Sequence, residues 1–556
     1  MAVPAPALPR HGRHARSPAC VPRRALPGNR RSVTQPGFSA PMYEIVGRDR
    51  GRARDLGAAR TRRCSCARPV LRRLGRRRVR RTDVRRTRSS QAFQPTIHGG
   101  ECIMNDSRVL VIGAGVSGLT CAYRLQQAGI DALVLEASDR VGGRTRTVRS
   151  PDGVLLEGGG QWFGPGQNAV LQLIDELGLE TTPTYTHGRT VFRLRGRTST
   201  SRVGVPFEWP LVTLDLSIAI TRLQMLAARV NRERPWTSAR AAGLDRTTFD
   251  EWLTEHTRTV AARHIFDAVS ALTLGGDPRD LSLLGVLQHI RSAGGLLRLI
   301  GVRGGAQDRR LITGAQSIST SLADRMPGRV LLETPAKQIE WDANTATVRA
   351  AGHEFRASAV VVAMCPIDRG HIDMVPELPP IERDRIALSA QYSGIKVHAV
   401  YPTPFWRARG FNGQAVSDVG PAPVVFDNSP ADDRVGVLSA FVAGTVSDHP
   451  ASPTIEQIQD PDVRRVGVLE CFAELFGDEA RHPTYFTEVD WRAEPYIEGC
   501  IPSVAPGVLT ATHGHSHGTG RLVWAGTEQS DVWNGYIDGA VRAGERAAAH
   551  ARQLLH

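Results

Sequence analysis

"RVLVIGAGVSGLTCAYRLQQAG", residues 108 to 129, decides the fold class. Its apolar start reads as a strand, its glycines as a tight turn, and Leu119, Ala122 and Leu125 share one face of a following helix. Gly113, Gly115 and Gly118 suit three separate jobs: the turn itself, the close approach of backbone to a pyrophosphate, and close packing of helix on strand. A lone GxGxxG is a weak signal. Here a second strand, "DALVLEAS", follows and ends in Glu136, 23 positions after Gly113, where a carboxylate can hold the ribose hydroxyls of an adenosine. The chain therefore opens its ordered part as a dinucleotide-binding α/β unit.

Upstream the composition changes. Residues 1 to 103 hold 25 of the 70 basic residues and only five acids, Glu44, Asp49, Asp55, Asp83 and Glu101, so the remaining 453 residues carry a net charge of −5 although the whole chain carries +15. The leader, with "RRLGRRRVRRTDVRRTRSS", has no hydrophobic periodicity and is expected to be disordered. It reads as a transit peptide, as a basic arm for nucleic acid or anionic lipid, or as sequence upstream of a true start at Met104, which stands just before the first strand; the last reading is preferred. There is no apolar signal-peptide core, and no run of eighteen or more apolar residues predicts a membrane-spanning segment. Of eight cysteines, Cys121, Cys365, Cys471 and Cys500 lie scattered in the body, which suits a reduced, cytoplasmic protein; Cys64 and Cys66 lack a partner pair for a metal site.

After Glu136 comes "DRVGGRTRTV", in which a glycine pair and Arg144 let backbone and guanidinium approach the pyrophosphate from its other side. No second GxGxxG marks a separate nicotinamide domain. Further on, "EGGGQWFGPGQNAVLQLIDELGLET" (157 to 181), "GGAQDRRLITG" (304 to 314), "GIKVHAVYPTPFWR" (394 to 407) and "WAGTEQSDVWNGYIDGAVRAGERAA" (524 to 548) complete a pattern that resembles the flavin monoamine oxidases over most of residues 107 to 550. The resemblance implies an α/β fold: a Rossmann-like FAD-binding domain from discontinuous segments, near 107–183, 312–386 and 494–556, with an α+β substrate domain near 184–311 and 387–493. It places Gly113, Gly115, Ser117, Gly118, Glu136, Ala137, Arg144, Gly160, Gln161, Trp162, Ala336, Cys500, Gly526, Thr527, Glu528, Tyr536 and Ile537 around FAD.

Lys396 stands out without any resemblance, because only it and Lys337 are lysine among 70 basic residues, and it interrupts an apolar run, "QYSGIKVHAV". The resemblance puts it beside the flavin N5 edge, holding a water, a task for which an amine that can lose its proton is suited and an arginine is not. A lysine snorkelling from a strand edge is the bland alternative. Tyr536 is implied as one wall of an aromatic cage for the amine, or else is a core tyrosine. Ile501 stands where covalent relatives carry the other cage tyrosine, so the cage looks half built. Cys500 matches the cysteine those relatives link to the flavin, unless it is a small buried hydrophobe. Gln307 matches a glutamine of the substrate cavity, or caps a loop.

The implied reaction takes a neutral primary or secondary amine to an imine and then an aldehyde, with oxygen reduced to hydrogen peroxide. An L-amino-acid oxidase of the same fold is the nearest alternative, and would need a cavity arginine for the substrate carboxylate. A basic-tailed flavoprotein acting as a binding module is the other. The expected partners are a small amine and oxygen; a homodimer is allowed, and nucleic acid is set aside.

Overall fold

The computed structural model describes residues 108–556, apart from positions 203, 205, 207, 208 and 515. The expectations for residues 1–103 and for a start at Met104 lie outside the described residues.

The strand at the head of the opening motif, Val109–Ile112, sits inside a six-stranded sheet whose order is Val330–Leu331, Ala132–Leu135, Val109–Ile112, Ala359–Val362, Leu522–Trp524 and Gly518–Thr519. All its pairings are parallel except the last, and Val109 is in register with Ala132 on one side and Ala359 on the other. The sequences VLVI, ALVL and AVVV have no polar alternation because both faces are covered, and every residue of the three strands is buried. One face packs on helices Val116–Gln127 and Ile537–Leu554 through Leu119, Val541 and Ala547. The other packs on a meander of Ala336–Trp341, Ala346–Ala350 and His353–Ala357 through Ile339 and Val348.

A seven-stranded, mostly antiparallel sheet is built from Tyr485–Asp490, Gly394–Tyr401, Gly436–Ala443, Val424–Asp427, Phe411–Ser417, Arg189–Leu194 and Arg197–Ser201, in that spatial order. Helix Pro461–Phe476 covers it with Val468 and Phe472. The lysine-bearing stretch, read from sequence as one strand, is two. Ala390–Tyr392 pairs with Ile501–Ser503, whereas Gly394–Tyr401 joins the large sheet, with the break at Ser393.

A helical layer, Pro210–Ala228, Phe249–His256, Val260–Val269 and Leu283–Ser292, has its own core of Leu223, Phe249, Phe266 and Leu287. Thr248 starts the second of these helices with a reciprocal capping box to Glu251. Val260–Val269 ends in a single π turn, Ser270–Leu274. Helix Pro210–Ala228 is long and apolar enough by length and composition to cross a membrane, but Asp215 and Arg222 interrupt it, so it holds no run of eighteen apolar residues, as the sequence reading has it. Asp215 is buried and accepts hydrogen bonds from the backbone of Arg258 and Thr259, which ties the helix into the fold.

Candidate active site

The parallel strands end at a cavity of about 820 Å³, a size within the range of small-molecule sites. Ile112, Leu135 and Ala363 form its floor, and residues of both large sheets and the helical layer form its walls. The glycine turn fits a dinucleotide. A methyl group at Gly118 would lie 2.0 Å from the Gly113 carbonyl oxygen, so only glycine allows this helix to start so close to the strand, whereas a methyl at Gly115 would meet nothing within 4 Å, leaving its backbone open to the cavity. Glu136 lines the cavity with its carboxylate already aimed by the Ala114 amide (2.5 Å) and the Ser138 amide (2.9 Å). Ser117 accepts a hydrogen bond from the Gly526 amide (3.0 Å), joining the opening motif to the C-terminal one.

Arg144 lines the cavity and forms a two-pronged pair with Glu528, at 2.5 and 3.1 Å. Burial alone would raise the Glu528 carboxyl; the charge and hydrogen bonds of Arg144 reverse that and hold it below the usual carboxylate range. Gly113, Gly115, Ser117, Glu136, Ala137, Arg144, Gly160, Gln161, Trp162, Ala336, Cys500, Gly526, Thr527, Tyr536 and Ile537 all lie at the cavity wall, as do Lys396, Gln307 and Ile501. Gly118 and Glu528 stand one layer behind it, the first under the turn and the second behind Arg144.

Lys396 is 1 % exposed. Its Nζ donates to the Gly159 carbonyl (2.8 Å) and to Gln161 Oε1, and stands 5.3 Å from the Trp162 ring centre and 5.1 Å from that of Phe441. Burial lowers its pKa to about 7, Glu157 pulling the other way. A neutral amine has two N–H bonds and one lone pair; here two acceptors take the two hydrogens, and the lone pair is left for a water or a reacting group. Behind it, Gln161 donates to Asn428 (2.8 Å), Asn428 donates to Ser439 (2.9 Å), and His398 meets Ser439 (2.6 Å) and the Glu157 carbonyl (3.1 Å). Burial drops His398 to about 3, so the ring is neutral.

Tyr536 stands at the N-cap of helix Ile537–Leu554, which has no side-chain cap, so its first amides are left for whatever occupies the cavity. The Tyr536 ring rests on Trp533 (5.1 Å) and His289 (6.0 Å). His289 also lines the cavity, and burial lowers it to about 4. Cys500 reaches the Tyr392 carbonyl with its thiol (3.5 Å), and burial raises that thiol to about 11. Gln307 donates to the Leu299 carbonyl at 3.3 Å.

The sequence reading missed Glu157, His398, Asn428, Phe426, Phe441 and Tyr392. Glu157, the last residue of a short strand, and His398, two places after Lys396, are polar residues inside apolar runs, a signal of the kind that singled out the lysine. Phe426, Phe441 and Tyr392 look like ordinary strand residues and carry no such signal.

A family model described as flavin containing amine oxidoreductase matches residues 116–552. The chain is 38% identical over 449 residues to a Mycobacterium tuberculosis protein named as flavin-containing monoamine oxidase AofH, covering 80% of this chain and 97% of that one. It is 30% identical over 459 residues to the mouse flavin-containing amine oxidase B, covering 81% and 86%. Among solved structures, putrescine oxidase bound to putrescine superposes with a TM-score of 0.76 at 30% identity, and cyclohexylamine oxidase from Brevibacterium oxydans with 0.76 at 31%; each match covers 81% of this chain and 100% of the other.

Proposed function

The chain belongs to the flavin-containing amine oxidoreductase family and is an FAD-dependent amine oxidase, and from that premise we propose that its cavity takes a neutral primary or secondary amine and delivers the electrons to oxygen. Bound FAD would supply the two-electron chemistry, taking hydride equivalents from the amine α-carbon and passing them to oxygen, which would leave as hydrogen peroxide. The imine left behind takes up water and gives an aldehyde, with its nitrogen released as ammonia or, from a secondary amine, as a primary amine.

The chain's own residues hold, orient and exclude. Glu136 and the Gly113–Gly118 turn are suited to the adenosine and pyrophosphate. Arg144 serves the other side of the pyrophosphate, with Glu528 fixing its guanidinium. The open first turn of helix Ile537–Leu554 favours negative charge next to it. Lys396 is the single observation that carries the proposal. A buried amine with both hydrogens directed, and a pKa near neutrality, is built to hold a water by its lone pair and to move a proton. Cys500, at the wall of the same cavity, is proposed to anchor the flavin covalently.

The amino-acid-oxidase reading is less well supported. Among the described residues the two arginines that line the cavity are each held by a carboxylate, Arg144 by Glu528 and Arg492 by Asp490, and Leu272, Thr273, Phe426, Phe441, Ile501 and Tyr536 of its wall carry no charge to pair with a substrate carboxylate. A cytoplasmic setting is also proposed, on the ground that the four described cysteines are all unpaired. A peroxide-release screen over matched amines and L-amino acids tests the proposal: peroxide from apolar amines is expected, and peroxide from amino acids alone would replace it.

A further inference from the structure

Position 501 should carry an aromatic wall if the amine is to be held between two rings, yet it is an isoleucine. The strand break at Ser393 supplies what is missing. Because Ala390–Tyr392 leaves the large sheet and pairs antiparallel with Ile501–Ser503, Tyr392 falls directly opposite Ile501. Directly opposed residues of such a pair project from the same face, with Cβ atoms about 4.5–5.5 Å apart. The glycines that follow the π turn locate that face. A methyl group on Gly275 would lie 3.4 Å from Ile501 Cγ2, and one on Gly276 would lie 3.7 Å from Tyr392 Cδ2. Ala271, Leu272 and Thr273 of the same turn line the cavity, together with Tyr392 and Ile501. Gln391, the next residue along, points the other way and donates to Glu528 at 3.3 Å.

Tyr392 is also idle in the protein. The rings of Trp162 and Phe441 are occupied by Lys396, and Phe426 by Trp162 at 4.7 Å. Among the described residues the Tyr392 ring has no aromatic partner and its hydroxyl no hydrogen bond. Burial pushes its phenol upward, with Cys500 and Asp277 adding to the effect, so the ring stays un-ionised.

We propose that Tyr392, placed across the two-stranded ladder from Ile501, is the second aromatic wall of the amine slot whose first wall is Tyr536. The proposal rests on the amine-oxidase reading. An electron-rich ring face attracts the N–H and any positive charge of an amine, and an un-ionised hydroxyl at its edge accepts a hydrogen bond from a polar substituent. The wall has moved from one strand of the ladder to its partner, and the space at 501 is filled by an aliphatic side chain.

The test uses the flavin-loaded full chain and follows amine-driven bleaching of the flavin without oxygen. Tyr392→Leu should lower the limiting reduction rate or raise the apparent Kd for the amine by about 5- to 30-fold, while Tyr392→Phe stays within about threefold of wild type. Ile501→Tyr alone should slow reduction, because two tyrosines then compete for one face. In the Tyr392→Leu background the same Ile501→Tyr change should restore it. That reversal of sign is something a merely structural tyrosine would not produce. Wild-type rates in Tyr392→Leu, or failure of Ile501→Tyr to rescue it, would overturn the proposal. Should Tyr392→Leu lose its flavin, Ile501→Tyr alone decides: slower reduction supports the shared slot, and faster reduction refutes it. A wild-type protein that no amine bleaches would instead overturn the amine-oxidase reading, and this inference with it.

Discussion

Lys396→Met should make the folded protein more stable, and by an amount that shrinks as the pH rises. Lys396 is 1 % exposed and its pKa falls from 10.5 to about 7, burial being the main cause. Each pKa unit corresponds to about 1.4 kcal/mol, so keeping the protonated amine in the fold costs roughly 5 kcal/mol below pH 7. Between pH 7 and 10.5 the unfolded chain still binds a proton that the folded chain has released. Wild-type stability therefore climbs through that window, and above it the penalty is gone. Methionine has a similar volume and no such proton. Glu157 contributes with the opposite sign: burial raises its carboxyl to about 6, so the stability it lends at low pH is lost as the pH rises through that value. Removing the lysine moves Glu157 further up, which trims the gain but also makes it shrink with rising pH. Urea midpoints of the two holoproteins at pH 7 and pH 10 read the effect without assuming two-state unfolding of so long a chain. Lys396→Arg, which keeps a charge it cannot lose, should be less stable than wild type at both. A methionine variant no more stable than wild type at pH 7, or equally favoured at both pH values, would mean that the buried Lys396 amine carries no such cost.

Glu136→Ala should weaken FAD retention by about 1.5–3 kcal/mol, the worth of a hydrogen bond to a charged group; unchanged flavin content after extensive dialysis would remove Glu136 from the site. Gly118→Val should yield protein without flavin or without a fold, because its first carbon would already lie 2.0 Å from the Gly113 carbonyl oxygen, and a yellow, soluble variant would contradict that packing. Acid precipitation should leave FAD attached to the wild-type chain and release it from Cys500→Ala; free FAD in both supernatants would make Cys500 a small buried side chain only. The reductive rate should rise through a limb near pH 7 as Lys396 loses its proton, and the limb should be missing in Lys396→Met.

The parts of the molecule set by local sequence were legible. Strand, glycine turn and helix at Val109–Gln127 follow from adjacent residues, and so does the packed stripe of Ile537, Val541, Gly544 and Ala547 on the last helix. Lys396 was legible because a lysine in an apolar run of an arginine-rich chain has a cost to explain. What the sequence hid depends on pairing at a distance. Nothing in "QYSGIKVHAV" marks Ser393 as the point where one strand leaves a sheet and another joins it. The partner of Tyr392 lies more than a hundred positions away, where the Cys500 amide and thiol meet its carbonyl. In helix Pro210–Ala228, too, the sequence shows Asp215 breaking an apolar run but not that its carboxylate is spent on the backbone of Arg258 and Thr259.

On the amine-oxidase reading, a neutral amine held in this cavity reduces the flavin. Mixing the purified protein with an apolar primary amine in the absence of oxygen tests it directly. Loss of the yellow absorbance is expected, with its return on admitting oxygen together with an equivalent of hydrogen peroxide, and no bleaching by the matching L-amino acid. Bleaching by the amino acid and not the amine, or by no amine across a range of sizes, would contradict it.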